Sequence, residues 1–183
     1  MDAYSPVHPS RCETVSIRGL SYQVRRWGAN HGRPIWLLHG WMDVSASYQF
    51  LADELLQLDP EYSLYAPDWR GFGGSTAPQP CDGYWFADYL ADLDALLRHY
   101  HPDRPAIDMV AHSMGGNVAM LYAGVRPERV ARLVNLDGIG LAGGDAAQAP
   151  ARRPSTRKAW RHGSRMSPAS RSLSPRQPQM PRA

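Results

Sequence analysis

Cysteine, lysine and long apolar segments are scarce in this chain. Its two cysteines, Cys12 and Cys81, are too few and too far apart in sequence for a disulfide framework or a zinc site. The N-terminus lacks the apolar core of a signal peptide, and no segment approaches the length of a membrane span. We therefore expect a cytoplasmic protein without a membrane span.

Acidic residues are absent from residues 147–183, which carry nine Lys and Arg residues. Residues 1–146 carry 11 basic and 17 acidic residues, a net charge of −6, so the overall +3 averages two unlike parts. The basic part is rich in Arg, Pro and Ser and has neither a strand nor a helix period, which predicts a disordered tail. We expect a flexible N-terminus over residues 1–13 and a single folded core over residues 14–146.

Lys158 is the only lysine, which suggests a GC-rich coding sequence. Such a sequence read out of frame yields Arg, Pro, Ala and Ser, the residues that dominate the tail. This favours a truncation or frameshift after about residue 150. The alternative is a genuine basic tail for nucleic acid or an acidic membrane surface, because clustered arginine is attracted to phosphate.

A serine lies at the centre of the most informative motif, Ala111-His112-Ser113-Met114-Gly115. An apolar strand pattern precedes it and a helical pattern follows, so the motif predicts a strand, a sharp turn and a helix. Such a turn exposes the hydroxyl of Ser113 beside the first amides of the helix. Small residues are needed two positions on either side, because larger ones would collide with neighbouring backbone.

A second apolar strand pattern ends at His39-Gly40-Trp41 and is followed by a helical pattern. This segment leaves a backbone amide, that of Trp41, free to face the serine. Together with the Met114 amide it would form an oxyanion hole, in which two N–H groups stabilise a negatively charged oxygen.

A third strand pattern leads into the glycine-rich segment Asp68-Trp69-Arg70-Gly71-Phe72-Gly73-Gly74-Ser75. It lacks the Gly-Lys-Ser/Thr ending of a phosphate-binding loop. The three motifs stand in the order and spacing of the α/β-hydrolase fold family, which residues 14–146 resemble. The resemblance is specific for the fold and much less so for the substrate.

The strand and helix patterns predict an α/β fold: a mostly parallel sheet of about six strands with helices on both faces. The first two strands, Thr14 to Ile17 and Ser21 to Trp27, form a hairpin, and Val130 to Leu136 supplies the sixth strand. A long helical pattern lies between the strand that ends near Asp68 and the strand that ends near Ser113. Its carboxylates are predicted to form a solvated face: Asp88, Asp92 and Asp94.

The family resemblance implies a serine nucleophile at Ser113 and no metal or organic cofactor. It also implies a catalytic histidine, which the family places beyond the sixth strand, where this chain has its basic tail. His39 and His112 match positions that shape the site, as do Gly40 and Gly115.

Asp137 follows the sixth strand, from which some relatives take the acid that orients the histidine. The alternative is a loop aspartate that accepts hydrogen bonds from backbone amides. Both interpretations stay open.

These observations predict a serine hydrolase that cleaves an ester or related acyl bond of a small molecule, with activity impaired by the missing histidine. Serine at position 113 argues against dehalogenase and epoxide hydrolase chemistry, which need a carboxylate nucleophile, whereas a carbon–carbon bond hydrolase stays open. The alternative function is a non-catalytic fragment, or a binding module whose basic tail holds polyanions. We expect no specific nucleic-acid partner, and we expect self-association through the apolar edge of the sixth strand.

Overall fold

The computed structural model describes residues 4–76 and 83–140. The chain divides into two units, Met1–Leu141 and Ala142–Ala183, and every element below belongs to the first. The predicted disordered tail lies outside the described residues. The elements in chain order are β1 (Arg11–Ile17), β2 (Leu20–Gly28), β3 (Arg33–Leu38), α1 (Gln49–Leu58), β4 (Tyr62–Pro67), α2 (Phe86–Tyr100), β5 (Ile107–His112), α3 (Met114–Val125) and β6 (Val130–Leu136).

The six strands form one sheet in the order β1-β2-β4-β3-β5-β6. β1 with β2 and β2 with β4 pair antiparallel, whereas β3 pairs parallel with both β4 and β5, and β5 pairs parallel with β6. The predicted mostly parallel sheet of six strands is therefore confirmed.

The β1–β2 hairpin turns at Arg18 and Gly19, both of which have positive φ angles of 51° and 78°. β1 begins at Arg11, three residues before the predicted start at Thr14. These first residues are polar and give no apolar signal, but Glu13 forms an ion pair with Arg26 on β2 at 3.2 Å. β1 therefore begins within the segment that was predicted to be flexible, residues 1–13.

Part of that N-terminal segment is attached to α1. The backbone N–H groups of Val7 and His8 donate to the buried carboxylate of Asp53, at 3.1 and 2.7 Å, and the Tyr4 hydroxyl also donates to it. The segment from residue 4 onwards thus has defined contacts in the structure.

Helices cover both faces of the sheet, as predicted, because alternate side chains of the buried strands point to opposite sides. On β3, Ile35 and Leu37 pack with residues of α1 in one hydrophobic cluster. Trp36 and Leu38 pack with residues of α2 and α3 in the other. Within residues 4–76 and 83–140, no helix is long and apolar enough to cross a membrane.

Candidate active site

Ser113 forms the turn between β5 and α3 and has a left-handed backbone, with φ 50° and ψ −114°. This conformation costs about 1–3 kcal/mol at a residue other than glycine, so its surroundings must hold it. The Ser113 N–H donates to the Leu136 carbonyl of β6 at 2.8 Å, and the Ser113 carbonyl accepts from the Asn117 N–H at 3.0 Å. The turn is therefore held from two sides, with Ser113 partly exposed.

Two glycines let the loop after β3 approach this turn. A Cβ atom on Gly115 would lie 2.3 Å from the Leu38 carbonyl oxygen, closer than any side chain tolerates. A Cβ atom on Gly40 would lie 3.2 Å from the Ser113 Cβ atom. The steric reason predicted for a small residue at position 115 is thus confirmed, and Gly40 is found to lie directly against the serine.

Two backbone amides near Ser113, those of Trp41 and Met114, donate to no other described residue. Met114 is the first residue of α3, so its N–H is one of the unpaired amides at the positive end of the helix dipole. Trp41 directly follows Gly40 and is 62% exposed. A free N–H at the start of a helix, next to a serine, is suited to stabilise a developing negative charge on oxygen, and the Trp41 N–H follows the glycine that lies against that serine.

The His39 ring is fully buried and uses both of its nitrogens. Nε2 accepts from the Trp69 N–H at 2.9 Å, so Nδ1 carries the proton and donates to the Gly40 carbonyl at 2.8 Å. Burial lowers the pKa of His39, which keeps the ring neutral. His39 therefore fastens the loop after β3 to the loop after β4, and neither nitrogen is free to take a proton from Ser113.

His112 precedes the serine and has an exposed side chain. Its Nδ1 atom lies 3.0 Å from the place that a Cβ atom of Gly40 would occupy, so the ring contacts the loop after β3. Among the described residues the ring has no hydrogen-bond partner. His112 thus lines the turn without a partner that would orient it as a base.

Asp137 lies at the carboxyl end of β6, exposed, with a φ angle of 59°. No described residue donates a hydrogen bond to its carboxylate. The amide-capping role belongs instead to Asn135, whose Oδ1 accepts from the Gly138 N–H at 2.9 Å and whose Nδ2 donates to the Gly138 carbonyl at 2.6 Å. The Asp137 carboxylate is therefore free to interact with a further group.

Asn117 holds the other end of this loop. Its Oδ1 atom accepts from the Gly140 N–H at 2.8 Å. The Asn117 side chain thereby connects the first turn of α3 to the loop after β6, whereas the Asn135 side chain closes that loop on itself. Neither asparagine was predicted from the sequence. An asparagine three residues before a glycine is a common turn signal and could have identified Asn135.

The glycine-rich loop after β4 is built around the buried carboxylate of Asp68. This carboxylate accepts from the Ser45 N–H at 2.7 Å, from Gln23 Nε2 at 2.8 Å and from the Gly74 N–H at 2.8 Å. The loop presents Phe72, whose ring meets the Trp41 ring edge to face at a centroid distance of 5.2 Å. The glycine-rich loop therefore supports the residue predicted to donate to the oxyanion.

The prediction of a solvated carboxylate face on α2 is wrong for Asp92, which is fully buried. Arg70 of the glycine-rich loop binds Asp92 through Nε at 2.5 Å and Nη2 at 2.7 Å. Arg18 and the Tyr22 hydroxyl donate to the same carboxylate at 2.7 and 2.8 Å. Burial is tolerated because each oxygen of the carboxylate is paired.

Two large apolar side chains on the loops after β3 and β6 are exposed. Met42, next to Trp41, is 82% exposed, and Ile139, two residues after Asp137, is 91% exposed.

Within the described ranges, no three His, Cys, Asp or Glu side chains are grouped so that they could hold a metal ion.

Comparison with known proteins gives one family and a consistent set of relatives. The family model described as the alpha/beta hydrolase fold matches residues 33–169. A serine hydrolase-like protein of Danio rerio is 37% identical over 115 residues, which are 62% of this chain and 33% of the relative. A probable serine hydrolase of Drosophila melanogaster is 31% identical over 126 residues, which are 68% of this chain and 36% of the relative.

Among solved structures, epoxide hydrolase I of potato, Solanum tuberosum, superposes with a TM-score of 0.64 at 27% sequence identity. The superposition covers 69% of this chain and 39% of the potato enzyme. The chain thus spans between about a third and two fifths of the length of these relatives.

Proposed function

The chain belongs to the alpha/beta hydrolase fold family, and we propose that Ser113 is the nucleophile of a hydrolase that cleaves an ester or related acyl bond of a small molecule. The observation that carries this proposal is the left-handed turn at Ser113, which is held between β6 and α3 beside the free Met114 amide. A strained backbone persists where the surrounding structure holds it, and such sites are commonly functional.

In the proposed reaction, the Ser113 hydroxyl oxygen attacks the carbonyl carbon of the substrate and loses its proton to a base. The carbonyl oxygen becomes an oxyanion, which accepts hydrogen bonds from the amides of Trp41 and Met114. The carbon–oxygen bond to the leaving alcohol then breaks, and the alcohol takes the proton from the base. Water repeats the sequence on the acyl group and frees Ser113.

The base is the unfilled role among the described residues. His39 uses both ring nitrogens in structural hydrogen bonds, and His112 has no partner to orient it. We propose that both shape the site, and that Asp137 is the acid that orients a histidine which residues 4–76 and 83–140 do not supply. The 183-residue chain is accordingly proposed to be catalytically impaired, and its location to be cytoplasmic.

The relatives include an epoxide hydrolase, but the residue at the turn favours acyl chemistry. Epoxide opening in this family uses a carboxylate nucleophile, and this chain has a serine at position 113. The serine hydrolase-like relatives support the same choice.

A second candidate function rests on the charge of the chain. Nine Lys and Arg residues without an acid in residues 147–183 favour a non-catalytic fragment or binding module that attracts polyanions.

The first prediction tests the nucleophile and the missing base together. We expect the 183-residue chain to hydrolyse p-nitrophenyl butyrate at near-background rate and to resist fluorophosphonate labelling, because loss of the histidine from a serine triad costs about 10⁶ in turnover. A chain whose reading frame is shifted by one near codon 150 should gain both reactions. Ser113→Ala in that longer chain should abolish them, whereas the control Ser16→Ala, on the exposed edge of β1, should not.

Two results would contradict this proposal in different ways. Substantial turnover by the 183-residue chain that Ser113→Ala removes would mean that a base is already present. Turnover that persists in Ser113→Ala would remove the nucleophile assignment itself.

A further inference from the structure

The loop that carries Trp41 returns to the point at which it leaves the sheet. It begins after Leu38, the last residue of β3, and ends at Tyr48, directly before α1. The Tyr48 hydroxyl donates to the Leu38 carbonyl at 2.7 Å, and both residues are buried. Burial raises the pKa of Tyr48, so the hydroxyl keeps the proton that it donates. One side-chain hydrogen bond therefore closes this loop at its base.

The base of the loop is also in contact with the turn at Ser113. A Cβ atom on Gly115 would lie 2.3 Å from the Leu38 carbonyl oxygen, so the start of α3 lies directly against the acceptor of the Tyr48 hydroxyl. The backbone N–H of His112, the residue before the serine, interacts with the same hydroxyl. The Tyr48 side chain thus lies where the loop after β3 and the turn at Ser113 meet.

The second half of the loop is held by further hydrogen bonds. The Ser45 N–H donates to the buried Asp68 carboxylate at 2.7 Å, and the Ser47 hydroxyl donates to the Asp43 carboxylate at 3.0 Å. The Trp41 N–H donates to no other described residue, so its direction is set by the segments on either side of it. We therefore expect a change at the base of the loop to displace the Trp41 amide.

We propose that Tyr48 is a positioning residue of the hydrolase, whose hydroxyl sets the distance between the Trp41 amide and the turn at Ser113. This inference rests on the proposed function, because it concerns how well two amides bind one oxyanion. Tyr48 itself is buried and bound to Leu38, so it does not touch a substrate. Removal of a whole oxyanion donor costs about 10²–10³ in kcat, and a displaced donor should cost part of that.

The second prediction concerns the backbone amides of the 183-residue chain and needs no activity. Tyr48→Phe removes only the hydroxyl. It should shift the Trp41 and Met114 amide signals in heteronuclear NMR spectra. It should also speed hydrogen exchange of the His112 amide about fivefold, as expected for the loss of one hydrogen bond.

Tyr122→Phe is the matched control. It also removes the hydroxyl of a buried tyrosine, which donates to Asp94 at 2.8 Å near the other end of α3. It should leave the amide signals of Trp41, His112 and Met114 unchanged. Urea unfolding followed by circular dichroism establishes that both variants are folded and compares their stability.

The same two variants are then compared in the longer chain of the first prediction. Tyr48→Phe should lower kcat for p-nitrophenyl butyrate about tenfold and change KM less than about twofold, because the oxyanion forms only as the reaction proceeds. Tyr122→Phe should change neither constant.

The two measurements separate this inference from the proposed function. An inactive longer chain contradicts the proposed function, whatever the amide signals are, and leaves Tyr48 as a structural residue. If the longer chain is active, an unchanged kcat in Tyr48→Phe, a change in KM alone, or equal losses in both variants would overturn the positioning role and leave the nucleophile assignment intact. Unchanged Trp41 and Met114 signals in Tyr48→Phe would overturn it as well.

Discussion

At the scale of single residues, His39 makes two hydrogen bonds that only a neutral imidazole can combine. Its Nε2 accepts from Trp69 and its Nδ1 donates to the Gly40 carbonyl. Protonation of Nε2 would place two N–H groups against each other and break the link between two loops of the site. The protonation state of this one ring therefore affects the loop that carries Trp41.

The third prediction follows from the lowered pKa of His39. A histidine with a lower pKa in the folded state takes up its proton more readily when unfolded, so its stabilising effect is complete above about pH 6.5 and declines as the pH falls towards the folded pKa. His101, whose pKa is lowered to about 4 by burial and nearby arginines, contributes in the same direction. Between pH 7 and pH 5, His39→Gln should lose less unfolding free energy in urea than the unsubstituted chain.

His31→Gln, at an exposed position, is the matched control and should follow the unsubstituted chain. An identical pH dependence of His39→Gln and the unsubstituted chain would mean that the His39 ring is not held neutral by its hydrogen bonds.

Residues whose identity is demanded by the local backbone were predictable from the sequence. Gly115 and Gly40 are such residues, because a Cβ atom would collide with or crowd the neighbouring loop. Asp92 was not predictable, because its partners Arg18, Tyr22 and Arg70 lie on other elements and only the fold brings them together. The roles of Ser113, Trp41, Met114 and Asp137 in catalysis stay predictions.

At the scale of secondary-structure elements, the Arg70–Asp92 ion pair attaches α2 to the glycine-rich loop. The pair is reinforced by the Tyr22 hydroxyl, which also accepts from the Arg70 N–H at 3.0 Å. Burial and the neighbouring carboxylate raise the pKa of this hydroxyl, which keeps it protonated and able to donate to Asp92. Phe72, two residues after Arg70, depends on this anchor for its contact with Trp41.

The fourth prediction is that Asp92→Asn lowers the unfolding free energy by about 3 kcal/mol, because it removes the buried counter-charge of the largely buried Arg70 guanidinium, which keeps only its ion pair with Asp88 at 3.2 Å. Asp94→Asn on the same helix should cost about 1 kcal/mol or less, because its ion-pair partner Arg98 is largely exposed. Urea unfolding followed by circular dichroism measures both. Equal losses for the two variants would contradict the difference in burial on which the prediction rests.

The elements themselves were largely predictable, because buried strands and amphipathic helices differ in apolar period. The exception is the start of β1, where Arg11, Cys12 and Glu13 pair with β2 although they show no apolar alternation. The polar end of this edge strand is stabilised by its pairing with β2. A local sequence pattern does not reveal such a pairing.

At the scale of the whole molecule, charge is distributed unevenly along the chain. The net charge is −6 over residues 1–146 and +9 over residues 147–183. Polyanions are therefore attracted by the sequence that lies outside the described residues. A specific attraction would favour the binding module, and an attraction by charge alone would favour the hydrolase.

The fifth prediction is that the chain binds heparin and DNA weakly, without sequence preference, and is released below about 0.5 M salt, because purely electrostatic contacts weaken steeply with ionic strength. Elution from a heparin column and fluorescence anisotropy with two unrelated DNA duplexes measure this. Binding that survives higher salt, or that prefers one duplex, would favour an evolved nucleic-acid site.

The position of β3 in the sheet has a consequence for synthesis. β3 lies between β4 and β5, and its Ile35 is opposite Asp108 of β5. A chain that emerges N-terminus first therefore displays one open flank of β3, whose last five residues are buried, until β5 has been made. Pairing across such a sequence separation is slow. Nascent chains of this protein therefore need protection from aggregation for longer than nascent chains of a protein built from neighbouring hairpins.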